Sequence, residues 1–190
     1  LDFQATLETK PEKAIKLEKD ALAQIENITA DNARLVSNLH ANLGGLYRMN
    51  GHPDLAREHM EKSISLLDQF NLLHINDSIP QIANYAMFLT EQQEPERGIS
   101  ELQKLSGIIK EYHSDDCLDY AKVQETLGTI YLMTANLPQA KTHFKRAFKI
   151  YEKIWADEPE MIEAKYQEIQ ELYPQIGFCI GKNLSGLLTK

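Results

Sequence analysis

Several possible metal ligands lie together between residues 113 and 119. The segment reads His-Ser-Asp-Asp-Cys-Leu-Asp and so places an imidazole, a thiol and three carboxylates in one short stretch. Such groups can bind zinc or another divalent cation. Ser and Asp also suit a connection between helices, because they cap the positively polarised N-terminus of the helix that follows. We therefore expect helix capping here and no metal site.

A glycine-containing stretch near the C-terminus is the nearest approach to a phosphate-binding loop. Residues 177–183 read Gly-Phe-Cys-Ile-Gly-Lys-Asn, which is one residue too short and ends in Asn where a Mg²⁺-binding hydroxyl is required. His52 and His59 are interpreted as ordinary surface histidines. The sequence contains no recognisable nucleophile with a base. It therefore predicts no catalytic residue, no metal and no cofactor, and it disfavours a hydrolase or transferase.

Four lysines recur every fourth residue near the end of the sequence. They are Lys141, Lys145, Lys149 and Lys153, with Arg146 beside them. At this spacing they form a basic stripe along one helix. The stripe is interpreted first as a solvated face, and docking of an acidic partner surface is the alternative.

The composition describes an acidic globular chain. Its 190 residues carry 20 Lys+Arg and 28 Asp+Glu, a formal net charge of −8, which disfavours binding to a nucleic-acid backbone. No apolar run approaches the ~18 residues of a membrane span, and the first residues do not resemble a signal peptide. Cys117 and Cys179 lie far apart and are expected to be reduced thiols. We predict a cytoplasmic protein that binds neither nucleic acid nor membrane.

An internal repeat of 42 residues positions these groups. The small residues Gly44, Ala86 and Gly128 follow one another at that interval. A second column of small residues, twelve positions later, consists of Ala56, Gly98 and Ala140. Small residues let two antiparallel helices approach closely, so the columns are expected to mark helix crossings.

Each repeat is predicted to contain two helices. Apolar residues recur at helical spacing, and proline follows a turn at Pro53, Pro95 and Pro138, where it suits a first helical turn. A helix pair of this kind cannot bury its apolar stripe alone, so neighbouring pairs must stack. The aromatic residues of the repeat are expected to pack in its core; they are Tyr47, Tyr131 and Phe144.

These columns resemble tetratricopeptide repeats in the 42-residue form found in kinesin light chain. The resemblance is carried by Leu43-Gly44-Tyr47-Gly51-Ala56-Met60-Ser63 and by Leu127-Gly128-Tyr131-Ala135-Ala140-Phe144-Ala147. It implies an all-α, right-handed superhelical solenoid of antiparallel helix pairs. It also implies a non-catalytic scaffold that binds a protein or an extended peptide in a concave groove. The alternative is a peptide-sensing domain of a larger bacterial-type regulator.

The repeat phase divides the chain into an array and a C-terminal segment. The tail of a first helix and a complete second helix are expected in the first, partial unit, and the start within a repeat suggests a longer chain. The last segment is expected to be a capping helix or a linker. The predicted divisions are 1–36 (partial), 37–78, 79–120, 121–162 and 163–174 (partial), which make up the array 1–174, followed by 175–190.

The resemblance also implies which residues line the groove. Asn42 and Asn84 share a column with Thr126, and a ladder of amides can bond to a peptide main chain through both donor and acceptor. Because Arg48 and Lys122 are the clear cations and acidic residues lie nearby, a mixed or mildly basic peptide is expected. The predicted groove residues are Asn38, Asn42, Gly45, Arg48, Asn84, Met87, Lys122, Glu125, Thr126 and Thr129.

Overall fold

A computed structural model of the chain describes residues 2–172 and 174, and the regular elements in that part of the chain are α-helices. Pro53 and Pro95 each begin a helix, as expected for a residue that lacks an N–H and has a preset φ. The all-α prediction is confirmed. The helices are α1 (Asp2–Ala23), α2 (Ala33–Met49), α3 (Pro53–Gln69), α4 (Ser78–Glu91), α5 (Pro95–Tyr112), α6 (Leu118–Met133), α7 (Leu137–Ile154) and α8 (Pro159–Leu172).

Equivalent tight turns separate the two helices of successive repeats. Gly51, Gln93 and Ala135 lie 42 residues apart and adopt positive φ angles of 73°, 65° and 58°. After each, a backbone N–H reaches back to the preceding helix, as in the 2.9 Å bond from His52 N to the carbonyl oxygen of Tyr47. This is how a left-handed residue ends a helix. The turns therefore reproduce the 42-residue repeat in three dimensions.

The columns of small residues lie where paired helices cross. A Cβ built on Gly98 of α5 would be 2.6 Å from the carbonyl oxygen of Ala86 on α4. A Cβ on Gly128 of α6 would be 2.8 Å from the ring of Phe144 on α7. Both distances are shorter than van der Waals contact, so the side chain of any larger residue would separate the helices. The interpretation of these columns as helix crossings is confirmed.

The start of the chain differs from the prediction. The tail of one helix and a separate second helix were expected before residue 36, whereas α1 is one continuous helix that contains Pro11. Residues 2–10 contain no Asn-Gly turn like the one that precedes Pro53, so no turn residue ends a helix before Pro11. At the other end, α8 coincides with the helix expected at 160–173. The capping segment predicted at 175–190 lies outside the described residues.

The chain divides into two compact units, Leu1–Glu101 and Leu102–Lys190, and the division falls inside α5. Each unit contains a core built by its own helices, because each helix pair buries one apolar stripe. The core of the first unit contains Leu43, Tyr47, Ala56, Met60, Tyr85, Phe88 and Leu89. That of the second contains Leu132, Ala140, Phe144, Phe148 and Ile169.

Candidate functional site

The first unit contains a cavity of about 250 Å³, which we call the α2–α4 cavity. It combines apolar groups with amide, hydroxyl and guanidinium groups. Gly45 of α2 leaves space at the cavity, because a Cβ added to it would meet no atom within 4 Å. The lining residues are Ala41, Gly45, Arg48 and Met49 of α2, Met60 and Ser63 of α3, and Gln81 and Asn84 of α4.

A buried polar network forms part of the lining of the α2–α4 cavity. The hydroxyls of Ser37 and Ser63 donate to Gln81 Oε1 over 2.8 and 2.6 Å. Gln81 Nε2 then donates to Asn38 Oδ1 over 2.6 Å, and Asn38 Nδ2 donates to Asp77. Each buried group is thereby hydrogen-bonded, which avoids the desolvation cost of leaving it unpaired. The network fixes the orientation of Gln81 within the cavity.

A bidentate ion pair spans α2 and α4 beside the α2–α4 cavity. Arg48 donates from Nε to Glu91 Oε2 over 2.8 Å and from its terminal nitrogen to Glu91 Oε1. The two parallel bonds match the planar guanidinium to the carboxylate. Because Glu91 neutralises Arg48, the cavity offers no uncompensated positive charge from this residue.

The three predicted asparagines have different environments. Both polar atoms of the Asn38 side-chain amide are hydrogen-bonded: Oδ1 accepts from Gln81, and Nδ2 donates to Asp77. Asn42 is exposed and donates to Glu18 Oε1 of α1 over 3.0 Å. Asn84 is exposed and lines the cavity, and within the described residues its amide makes no hydrogen bond. Asn84 is therefore the asparagine whose amide is open to a ligand.

The cavity brings together three of the predicted groove residues, Gly45, Arg48 and Asn84. Met87 is half-buried on α4 and does not contribute to the lining. Sequence reasoning did not assign Met49, Met60, Ser63 or Gln81 to the groove. Met60 and Ser63 lie in the packing columns of the repeat, and no sequence signal distinguishes a packing residue that also borders a cavity.

The predicted groove residues of the second unit lie on α6. Glu125 accepts bonds from the Tyr151 hydroxyl at 2.6 Å and from Lys165 Nζ at 3.0 Å, so its carboxylate is already paired. Burial and the Glu125 carboxylate raise the pKa of Tyr151, which keeps its phenol protonated as a donor. Lys122 is exposed, and Thr126 and Thr129 donate to carbonyl groups of their own helix.

Two histidines form a pair that the sequence did not reveal. His40 Nδ1 and His59 Nδ1 are 2.8 Å apart, so one ring donates to the other, and the His59 ring stacks on Tyr47. Burial, with nearby His59 and Lys62, lowers the pKa of His40 to about 4. The interpretation of His59 as an ordinary surface residue is wrong, because it packs against α2; His52 is exposed as expected.

The acidic connection before α6 caps that helix differently from the prediction. Cys117, rather than Ser or Asp, is the N-cap, and its Sγ accepts from Tyr120 N over 3.4 Å. The carboxylate of Asp116 pairs with Lys153, and that of Asp115 lies 3.9 Å from Arg146. Within residues 2–172 and 174, no group of three or more potential metal ligands is assembled. The phosphate-loop-like stretch at 177–183 lies outside the described residues.

The aromatic residues of the repeat columns are packed as predicted. Tyr47 is 5% exposed and Phe144 is fully buried. Tyr131 is partly buried and packs against the core of the second unit, where its ring stacks on His143. These residues therefore stabilise the helix pairs.

Comparison with known proteins agrees with the geometry. Residues 78–153 match the family model described as tetratricopeptide repeat. A solved structure, the crystal structure of BtubC (BKLC) from P. vanneervenii, is similar with a TM-score of 0.74 and 18% identity, covering 96% of this chain and 75% of that one. No curated protein sequence matches.

These findings define a class of helical repeat proteins, the α solenoids of stacked helix pairs. Residues 78–153 contain tetratricopeptide repeats. Repeats of this family are generally non-catalytic scaffolds that bind proteins or peptides. Among the described helices, none is long and apolar enough to cross a bilayer.

Proposed function

We propose that this chain is a non-catalytic scaffold whose first unit binds an extended peptide at the α2–α4 cavity. The observation that carries the proposal is the combination, in one cavity, of an apolar lining with an open amide at Asn84. Its volume of about 250 Å³ is below the ~300–1,000 Å³ of typical small-molecule sites, which favours one inserted side chain over a whole small ligand.

The lining favours an uncharged side chain at the inserted position. Met60 and Ala41 offer apolar contact, and the polar groups of Ser63 and Gln81 already satisfy each other. The positive charge of Arg48 is compensated by Glu91. An acidic side chain would have to displace Glu91 to gain an ion pair, and a basic one would meet Arg48. An apolar residue neither displaces Glu91 nor places a second positive charge beside Arg48.

The amide of Asn84 is suited to the peptide main chain. It can donate to a carbonyl and accept from an N–H without selecting any side chain. The cavity would therefore select one residue of the peptide, while Asn84 would hold the backbone beside it. Asn42, Lys122, Glu125, Thr126 and Thr129 remain predictions as contact residues. A sensing role would further require that the peptide favour one arrangement of the repeats.

Asparagine substitutions test the proposal against the ladder predicted from sequence. Peptides selected on the full chain from a random display library are titrated against Asn84→Ala and Asn42→Ala. Loss of one or two hydrogen bonds should weaken binding to Asn84→Ala about fivefold, with an unchanged melting temperature. If the cavity alone is used, Asn42→Ala should bind normally, whereas equal losses would indicate a ladder.

A cavity-filling variant provides the stronger test. A Cβ added at Gly45 would meet no atom within 4 Å, so the backbone leaves space for the start of the Gly45→Leu side chain, and a melting curve checks that the variant folds. Binding should fall by more than tenfold because the leucine occupies the space for the peptide side chain. The matched control is Gly107→Leu on α5, where an added Cβ would also meet no atom within 4 Å. Unchanged affinity in a folded Gly45→Leu protein would refute the proposed site.

A further inference from the structure

The lysine stripe, Lys141, Lys145, Lys149 and Lys153, lies on the exposed side of α7. The opposite side of this helix is buried through Ala140, Phe144 and Ala147. Among the described residues, Lys141, Lys145 and Lys149 form no ion pair. A row of exposed cations is thus available along one face of the second unit.

The chain's own acidic connection shows what this face can hold. Asp116 pairs with Lys153 at the C-terminal end of the stripe, and Asp115 lies 3.9 Å from Arg146, so two consecutive carboxylates already lie beside cations of α7. Lys153 and Lys149 lower the pKa of Asp116 by hydrogen bonding and charge. Carboxylates from a chain crossing α7 are therefore compatible with the stripe. The remaining lysines continue the same row.

The spacing of the lysines matches an extended peptide. Four residues of an α-helix rise by about 6 Å. Alternate residues of an extended strand, whose side chains point to one side, are about 6.6 Å apart. Alternate carboxylates of an extended acidic segment can therefore each face one of Lys141, Lys145 and Lys149.

We propose that the lysine stripe of α7 is a docking surface for an extended acidic segment of a partner protein. The segment would lie over Lys141, Lys145 and Lys149 and compete with Asp115 and Asp116 for Arg146 and Lys153. A single-stranded nucleic acid is a poorer match. Its affinity would rely on exposed aromatic platforms, whereas Phe144, Phe148 and Tyr151 are buried.

The first experiment titrates the full chain with fluorescein-labelled octaglutamate at low salt. Lys141→Gln/Lys145→Gln/Lys149→Gln should weaken binding at least tenfold. The control Lys13→Gln/Lys16→Gln/Lys62→Gln removes three exposed charges from α1 and α3 and should change it less than twofold. Similar losses in both triple variants would overturn the proposal, as would undetectable binding of octaglutamate by the unmodified chain.

Two further arms separate the alternatives. Asp115→Asn/Asp116→Asn should strengthen octaglutamate binding several-fold by releasing Arg146 and Lys153, whereas Asp54→Asn/Glu58→Gln on α3 should not. Tighter binding of an eight-nucleotide oligothymidylate than of octaglutamate would overturn the peptide assignment. Gly45→Leu should leave octaglutamate binding unchanged, so failure at the α2–α4 cavity and failure at the lysine stripe are distinguishable.

Discussion

The helix pairs α2–α3 and α6–α7 contain the same aromatic arrangement with one exchanged partner. In the first, His59 stacks on Tyr47 with ring centroids 5.4 Å apart; in the second, His143 stacks on Tyr131 at 5.2 Å. His59 bonds to His40, whereas His143 bonds to Gln124, which occupies the equivalent position two repeats later. The repeat therefore conserves packing geometry but lets the hydrogen-bond partner vary.

The exchange changes how the two pairs respond to protons. Burial lowers the pKa of both His59 and His143, so each ring is held neutral. In the part of the chain that the structure describes, the first pair alone has a second imidazole in contact, that of His40, so protonation of both rings would place two positive charges side by side. Gln124 carries no charge at any pH. The first pair should therefore be the more acid-sensitive.

Substitutions at the helix crossings should show the largest difference in the free energy of unfolding between the two pairs. Gly128→Ala places a methyl 2.8 Å from the rigid ring of Phe144, and we expect a loss of about 3 kcal/mol in the free energy of unfolding. Gly44→Ala places it 2.6 Å from Met60 Cγ, which can move, but also 3.2 Å from Met60 N and 3.3 Å from the Ala56 carbonyl oxygen, so about 2 kcal/mol is expected. Denaturant titration measures both. Equal losses would contradict this difference in packing.

Gly45→Ala is the control for both crossings. It lies in the same helix as Gly44 but meets no atom within 4 Å. Alanine is the better helix former, so a gain of roughly 0.5–1 kcal/mol is expected. A loss in this variant would show that the effects at Gly44 and Gly128 are not steric.

Acid should weaken the chain through His40. The pKa of His40 is about 4 in the folded chain and an ordinary 6.5 in the unfolded chain. Between pH 6.5 and pH 4 the unfolded chain therefore binds a proton at this residue that the folded chain does not. The free energy of unfolding therefore falls as pH is lowered through that window. His40→Gln, which copies Gln124, should reduce the loss between pH 7 and pH 4 by about 2 kcal/mol in denaturant titrations. Parallel pH profiles of variant and parent would contradict the assignment.

Apart from the Gly45→Ala control, single substitutions at the turns should change the free energy of unfolding least. Gly51 and Ala135 both have positive φ, which glycine adopts at little cost and alanine does not. Ala135→Gly should therefore raise the free energy of unfolding by about 1 kcal/mol, and Gly51→Ala should lower it by a similar amount. Thermal melts of the two variants check the opposite signs. Shifts of the same sign would mean that the turns are not equivalent.

The regular features of the fold could be predicted because they repeat. Pro53 and Pro95 mark helix starts locally, and Gly128 marks a crossing by its column. The continuous α1 was missed because the repeat phase was extended to a segment without the turn residues. Tertiary pairs were also missed: Arg48 meets Glu91 across 43 positions of sequence, and such a contact depends on how helices face each other.

The candidate site was only partly predictable for the same reason. The resemblance assigned Asn38 and Asn84 to one surface, and both do face the region between α2 and α4. Gln81 donates a hydrogen bond to the amide oxygen of Asn38, whereas no side chain among the described residues hydrogen-bonds the amide of Asn84. Column position gives the direction of a side chain, but the neighbouring residue decides whether it is available to a ligand.

Methionine methyl groups provide the most direct measurement of peptide binding at the α2–α4 cavity. The chain has five methionines; Met49 and Met60 line the cavity, whereas Met133 and Met161 are exposed on α6 and α8. The full chain, labelled with ¹³C at methionine methyls, is titrated with a library-selected peptide and followed by NMR. We predict that the Met49 and Met60 resonances shift in a saturable manner while those of Met133 and Met161 stay in place. Saturable shifts at Met133 or Met161 with Met49 and Met60 unmoved would contradict the proposed site.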